Sequence, residues 1–214
     1  MRSIVPFAAT EPKSRLDSVL TTDERAAFAR VMLRSVLSTL RDAGHKPTVL
    51  ATAPLDETTL PAETPVVVDD QPLTAAVNDQ LAAAESPTLI VMADLPLATP
   101  DTIGRLTAAS DDAGDDADIA IAPGLGGGTN ALVVRDPAFR VDYHGASYLD
   151  HRAAAVDCGA TVQTVDSRQL ATDIDEPSDF AEVLIHGDGA ARVWLDDAGF
   201  ELDTSGGRVG VRRR

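Results

Sequence analysis

The chain is poor in several things that would point to particular functions. It has one cysteine, Cys158, in 214 residues, which excludes an internal disulfide and a cysteine-rich zinc site. Aromatic residues make up 4%, so the core must be built from Val, Leu, Ile and Ala. No apolar run approaches the ~20 residues of a membrane helix. The first residues, Met1 to Pro6, read as a strand and not as a signal peptide. Lysine is nearly absent: of 18 basic residues only Lys13 and Lys46 are lysines, against 34 acidic residues and a net charge of −16. Such a field repels nucleic acid and anionic membranes, so neither is expected as a partner. A cytoplasmic protein is the expectation. The acid excess reads as a solvated surface suited to high salt, and clusters such as Asp111-Asp112 and Asp115-Asp116 as surface instead of metal sites.

What is present alternates between strand and helix. Ser3–Pro6, Thr48–Ala51, Val66–Val68, Thr88–Met92, Asp118–Ala122, Ala131–Val134 and Thr161–Val165 read as strands. Thr21-Thr22-Asp23-Glu24 fits a capping box that opens a long helix, with Phe28, Met32, Val36 and Leu40 on one stripe and Gly44 at its end. Further helices are expected over Pro72–Ala84, from Thr99-Pro100 to near Ser110, over Ser147–Cys158 and over Ser178–His186. This alternation predicts an α/β fold, a mostly parallel central sheet flanked by helices. Residues 1–186 form the expected domain and 187–214 a C-terminal extension.

Chemistry in such a sheet is expected beyond the carboxyl ends of its strands. Asp94 sits there, just after the continuous apolar run Thr88–Met92, where a carboxylate can bind Mg²⁺. The plainer reading is a turn cap. Asp173 and Asp175 follow the last strand and can emerge at the same edge; helix capping near Pro177 is their alternative. Gly124 to Gly128, followed by Thr129 and Asn130, makes a glycine-rich loop that can cradle an anion or simply turn the chain. Lys13 and Arg15 are basic residues on the loop after the first strand, suited to phosphate or to plain surface. His144, Gly145, Ser147 and His151 precede or open a helix, whose N-terminus favours anions; a lone histidine there is more often structural. Cys158 and Trp194 are assigned to packing.

Together these stretches resemble the 2-phospho-L-lactate guanylyltransferase family of coenzyme F420 biosynthesis, of a halophilic archaeal type. The matching segments are VPF…PKSRL (Val5–Leu16), DERAAFARVML at the start of the first helix, MADLPL (Met92–Leu97), GGTNAL (Gly127–Leu132), the Ser147–His151 helix start and DIDEPSDF (Asp173–Phe180). The resemblance implies a nucleotidyltransferase fold of glycosyltransferase A-like type. It implies GTP as donor, 2-phospho-L-lactate or phosphoenolpyruvate as acceptor, and diphosphate as co-product. It further implies Mg²⁺ on Asp94, Asp173 and Asp175, a catalytic group of Lys13, Arg15 and Asp94, and an acceptor site of Gly127, Gly128, Thr129, Asn130, Gly145 and Ser147. A homodimer is one assembly open to it. Two departures are visible: His144-Gly145-Ala146-Ser147 stands where members often carry Gly-x-Gly-Ser, and the segment after Gly187 looks like an addition. Molybdenum-cofactor guanylyl- and cytidylyltransferases carry a glycine-rich loop after strand one, and Phe7–Arg15 has no glycine. A non-catalytic nucleotide-binding protein would not need all three carboxylates.

Overall fold

The computed structural model describes residues 1–56, 60–110, 114–207 and 209–214; Asp111 and Asp112 lie outside them. The strands are β1 (Arg2–Phe7), β2 (Pro47–Ala51), β3 (Val66–Val68), β4 (Thr88–Val91), β5 (Ile119–Pro123), β6 (Thr129–Val134) and β7 (Val162–Thr164). They form one sheet in the order β3-β2-β1-β4-β6-β5-β7. All pairings are parallel except those of β6, which runs antiparallel to β4 and β5. The expected mostly parallel sheet is therefore present, with one reversed strand.

Side chains alternate across this sheet, as a pleated strand requires. Val5, Val49, Leu89 and Val133 join one buried cluster with α1 (Thr22–Asp42) and α3 (Pro100–Thr107). Ile4, Leu50, Ile90 and Leu132 join another with α2 (Leu73–Ala82) and α4 (Ser147–Cys158). Both faces are covered, so the central strands read as unbroken apolar runs. In α1 the stripe Phe28, Met32, Val36, Leu40 is buried, widened by Ala29, Leu33 and Leu37. Each large aliphatic side chain buried this way stabilises the fold by about 1.5–3 kcal/mol. The capping box is present: Thr21 accepts from the Glu24 N–H while the Glu24 carboxylate accepts from the Thr21 N–H.

After α5 (Arg168–Ala171) and α6 (Phe180–His186), the segment beyond Gly187 folds as α7 (Ala190–Asp197) and a hairpin of β8 (Phe200–Asp203) and β9 (Gly210–Arg213). It shares a core with the domain. Phe28 of α1 stacks on Trp194 at 4.7 Å and meets Phe180 edge-on at 5.5 Å, and Phe180 in turn meets Phe200. Arg213 of β9 also pairs with Glu24 of the α1 capping box. Half of the chain's eight Phe, Tyr and Trp rings are thus spent joining this segment to α1 and α6. Cys158 is half-buried at the end of α4, its thiol donating to the Ala155 carbonyl. Among the described residues no helix is long and apolar enough to cross a membrane. Asp115 and Asp116 are exposed.

Candidate functional site

The chain runs outward from β1 through β2 to β3, then returns to β4 on the other side of β1. The carboxyl ends of β1 and β4 therefore flank a crevice at a topological switch point, where α/β sheets bind ligands. The loop after β1 carries Lys13 and the loop after β4 carries Asp94, on the two walls of that crevice. A third segment, Asp173-Ile174-Asp175, is strapped onto the same edge by the Ile174 N–H donating to the Asp94 carbonyl at 3.2 Å.

These loops converge on one charged cluster. The Lys13 ammonium lies 2.5 Å from Asp94 Oδ2 and 2.8 Å from Asp175 Oδ1. Arg15, mostly exposed, reaches the other Asp175 oxygen at 3.2 Å. Lys13 sits in the left-handed backbone region, with φ +57°, at the start of a short 3-10 turn, Ser14–Leu16. Leu16 is fully buried beside Phe28 and Ile174, which anchors the turn that presents Lys13. Burial opposes the lysine's charge, but Asp94 and Asp175 outweigh it and raise its pKa above the ordinary value. Burial likewise works to raise Asp175, and Lys13 and Arg15 outweigh it, holding that carboxyl below the usual range. Asp173 goes the other way. Burial raises its pKa, Asn130 offsets part of this, and Asp94 and Asp175 raise it further.

Asp173 is turned toward the glycine-loop side of the site. Asn130 Nδ2 donates to Asp173 Oδ1 at 3.0 Å and to the Leu170 carbonyl at 2.9 Å. This orientation requires glycine at 124, because a Cβ there would stand 2.7 Å from Asn130 Oδ1. The loop then turns at Gly127, φ +83°, and its carbonyl accepts from the Tyr148 N–H at 3.2 Å. That bond brings Gly127, Gly128 and Thr129 to the start of α4, where Ser147 is buried; Ser147 Oγ would lie 4.0 Å from a Cβ at Gly128. Gly145, φ +53°, and His144 are exposed on the approach to α4.

The site residues expected from sequence thus fall into two neighbouring groups. Lys13, Arg15, Asp94 and Asp175 form the charged cluster. Gly127, Gly128, Thr129 and Ser147 form the second group, and the Asn130–Asp173 pair links the two. The three aspartates do not form a ready-made metal triad: among the described residues no group of three His, Cys, Asp or Glu side chains is gathered that could hold a metal ion.

A cleft of about 410 Å³ opens beside the cluster. Lys13, Arg15, Asp94 and Asp175 line one end, while Ala29, Met32, Leu50, Leu73 and Ala76 give an apolar floor, with Thr52, Asp69 and Gln71 as the polar groups. Sequence reasoning missed those last residues. Their signal was positional: Thr52 follows β2 and Asp69 follows β3, at the same sheet edge as Asp94. It missed as well that buried His151 bonds Thr129, its Nδ1 lying 2.9 Å from Thr129 Oγ1.

The solved structures similar to this chain share the fold. A protein described as a nucleotide-diphospho-sugar transferase from Desulfovibrio desulfuricans superimposes with a TM-score of 0.72 at 15% identity, over 92% of this chain and 95% of that one. A nucleotidyl transferase from Methanothermobacter superimposes at 0.61 and 18% identity, over 87% and 97%. The 2-phospho-L-lactate guanylyltransferase of Halomicrobium mukohataei is 55% identical over 213 residues, all of both chains. The family model described as "Guanylyl transferase CofC like" matches residues 1–214. The chain, with its nucleotidyltransferase fold, belongs to that guanylyltransferase family.

Proposed function

We propose that the chain joins GMP from GTP to the phosphate of 2-phospho-L-lactate, releasing diphosphate. The observation that carries this beyond family membership is the Lys13–Asp94–Asp175 cluster at the mouth of the cleft, with the Thr129–Ser147 group beside it. One place suits a triphosphate and its counter-charges, the other an anionic acceptor.

In this reading the acceptor's phosphate is the nucleophile. One of its oxygens bonds to the α-phosphorus of GTP while the bond from that phosphorus to the β-phosphate oxygen breaks, and diphosphate leaves. A phosphate monoester has its second pKa at about 6, so it attacks as a dianion at neutral pH and needs no enzymic base. Two anions must instead be held together, which is positioning and charge neutralisation. Lys13 and Arg15 face the triphosphate. The hydroxyls of Thr129 and Ser147 donate to the acid. The apolar floor takes the base, with Asp69 and Gln71 offering polar partners to its edge.

The residues fit a divalent cation of the magnesium type. Asp94 Oδ1 is buried without a hydrogen-bond partner among the described residues, and the carboxylates around it are the hard oxygen donors such a cation takes. One or two protein carboxylates plus substrate phosphates is the usual Mg²⁺ arrangement, so Asp94 and Asp175 or Asp173 suffice without a ready-made triad. When bound, Mg²⁺ would neutralise phosphate oxygens and ease departure of the diphosphate.

The test is diphosphate release from each NTP with 2-phospho-L-lactate, phosphoenolpyruvate and 3-phosphoglycerate in turn. Release is expected with GTP and the lactate ester. Equal rates with every NTP, or release that needs no acid, would overturn the proposal.

A further inference from the structure

Behind the second group of residues, bonded to Thr129, one polar side chain has no obvious reason to be polar. His151 lies on the inner face of α4 with no exposed surface. Phe139 and Tyr143 pack around its ring, the latter edge-on at 5.0 Å. Its Nδ1 meets Thr129 Oγ1 at 2.9 Å, while its Nε2 is buried with no hydrogen-bond partner among the described residues. Thr129 Oγ1 has no other hydrogen-bond partner among the described residues. Burial keeps the ring neutral, its pKa lowered to about 4 despite Asp150 and Asp142 nearby. The imidazole therefore carries one N–H, and its placement matters.

If the proton were on Nε2, a buried donor would be stranded without an acceptor, a rarer situation than an unpaired acceptor. Nδ1 would then be the acceptor, and Thr129 would give it its hydroxyl proton. With the proton on Nδ1, the ring donates to Thr129 Oγ1, and the threonine hydrogen is left to point elsewhere. We infer that His151 is a positioning residue: its Nδ1–H occupies a lone pair of Thr129 Oγ1 and so reserves the threonine proton for the anionic acceptor. This rests on the reading of Thr129 as an acceptor contact and adds the reason its hydroxyl donates. A threonine whose proton was captured by the histidine would present only lone pairs to an anion and would repel it.

Two experiments test this. The first reads the tautomer directly, by long-range ¹H–¹⁵N correlation on protein labelled at histidine, in a His45→Gln, His144→Gln, His186→Gln background that leaves His151 alone. A protonated Nδ1 is expected; a protonated Nε2 overturns the inference. The second compares two substitutions. The side-chain amide nitrogen of asparagine can stand where Nδ1 stands and donate to Thr129, whereas that of glutamine matches Nε2. His151→Asn should keep the KM for 2-phospho-L-lactate within about twofold of wild type, while His151→Gln should raise it about tenfold, the scale of one hydrogen bond to a charged group. The KM for GTP should stay put in both, and their Tm values should be similar. Equal acceptor KM values for the two variants would contradict the positioning role, because a merely structural histidine does not distinguish its nitrogens. If neither variant folds, the tautomer decides. Failure of the underlying reading looks different: Thr129→Val would then leave the acceptor KM unchanged, whatever the tautomer.

Discussion

Replacing Lys13 with methionine keeps most of the side chain's apolar stem and removes only its charge and donors. The consequence follows from the geometry. Lys13 is 11% exposed and its ammonium contacts Asp94 and Asp175 at 2.5 and 2.8 Å. Removing one partner of a buried pair costs about 3–5 kcal/mol, because the remaining charge is left uncompensated. Asp175 is 40% exposed and water can screen it, so roughly 2–3 kcal/mol is the expected loss. In a chain of this size each kcal/mol moves Tm by about 2–4 °C, giving a drop of roughly 4–12 °C. The assay is thermal unfolding followed by circular dichroism, at constant molar KCl, with and without Mg²⁺. A pair this close and this enclosed is little affected by added salt, whereas a divalent cation that binds the same carboxylates replaces the missing charge. Mg²⁺ should therefore raise Tm more in Lys13→Met than in wild type. The pH sign agrees: the lysine's folded pKa is raised, so its contribution is complete below the ordinary lysine value and is lost only as pH climbs through the raised one. A variant with wild-type Tm in the absence of Mg²⁺, or an equal Mg²⁺ response in both proteins, would refute the reasoning.

If Thr129 and Ser147 donate to the acceptor as proposed, Thr129→Val and Ser147→Ala should each raise the KM for the acid about tenfold with little change for GTP; initial-rate kinetics with each substrate varied checks this, and a GTP-specific rise would move both residues to the donor site. His151, neutral when folded with a pKa near 4 and about 6.5 when unfolded, makes stability fall as pH drops from 6.5 toward 4, because the unfolded state takes up the proton first. At about 1.4 kcal/mol per pH unit roughly 3 kcal/mol is at stake, and urea unfolding of wild type against His151→Asn should show that slope flattened in the variant. With its −16 charge the enzyme is expected to hold or gain activity as KCl rises to molar levels, as screening relaxes self-repulsion; a steady decline would contradict the high-salt reading.

Much of the architecture was legible because the burial pattern is written in residue types. The run Leu89–Val91 is apolar throughout and lies covered on both faces, and the Thr21–Glu24 box marks the start of α1. The direction of β6 was not read, since the buried run Thr129–Val134 looks alike either way. Its signal was the connection: Gly124–Gly128 is shorter than the dozen or so residues a parallel crossover needs, so β5 and β6 had to pair as a hairpin. At the site, Asp94, Asp173 and Asp175 were legible as carboxylates at the right sheet edge. That Lys13 bridges two of them while Asp173 turns to Asn130 was not, because those partners are far apart in sequence and meet only through the sheet order. The segment after Gly187 read as an addition because its glycines and charges hide how few aromatics it needs. Trp194 and Phe200 meet Phe28 and Phe180, with Ala191 and Leu195 in the same buried cluster.

The central claim is transfer of a guanylyl group to the acceptor's phosphate at the Lys13–Asp94–Asp175 cluster. Its most direct test is ³¹P NMR of the reaction of the full chain with GTP, Mg²⁺ and 2-phospho-L-lactate, run beside Asp94→Asn. Wild type should yield two mutually coupled phosphorus signals, those of a P–O–P diester linking lactate to guanosine, with diphosphate in equal amount. The variant should stay folded and form both slower by orders of magnitude. GMP and diphosphate without the coupled pair, transfer to the carboxylate with the lactate phosphate left as a monoester, or a near-normal rate in Asp94→Asn would contradict the account.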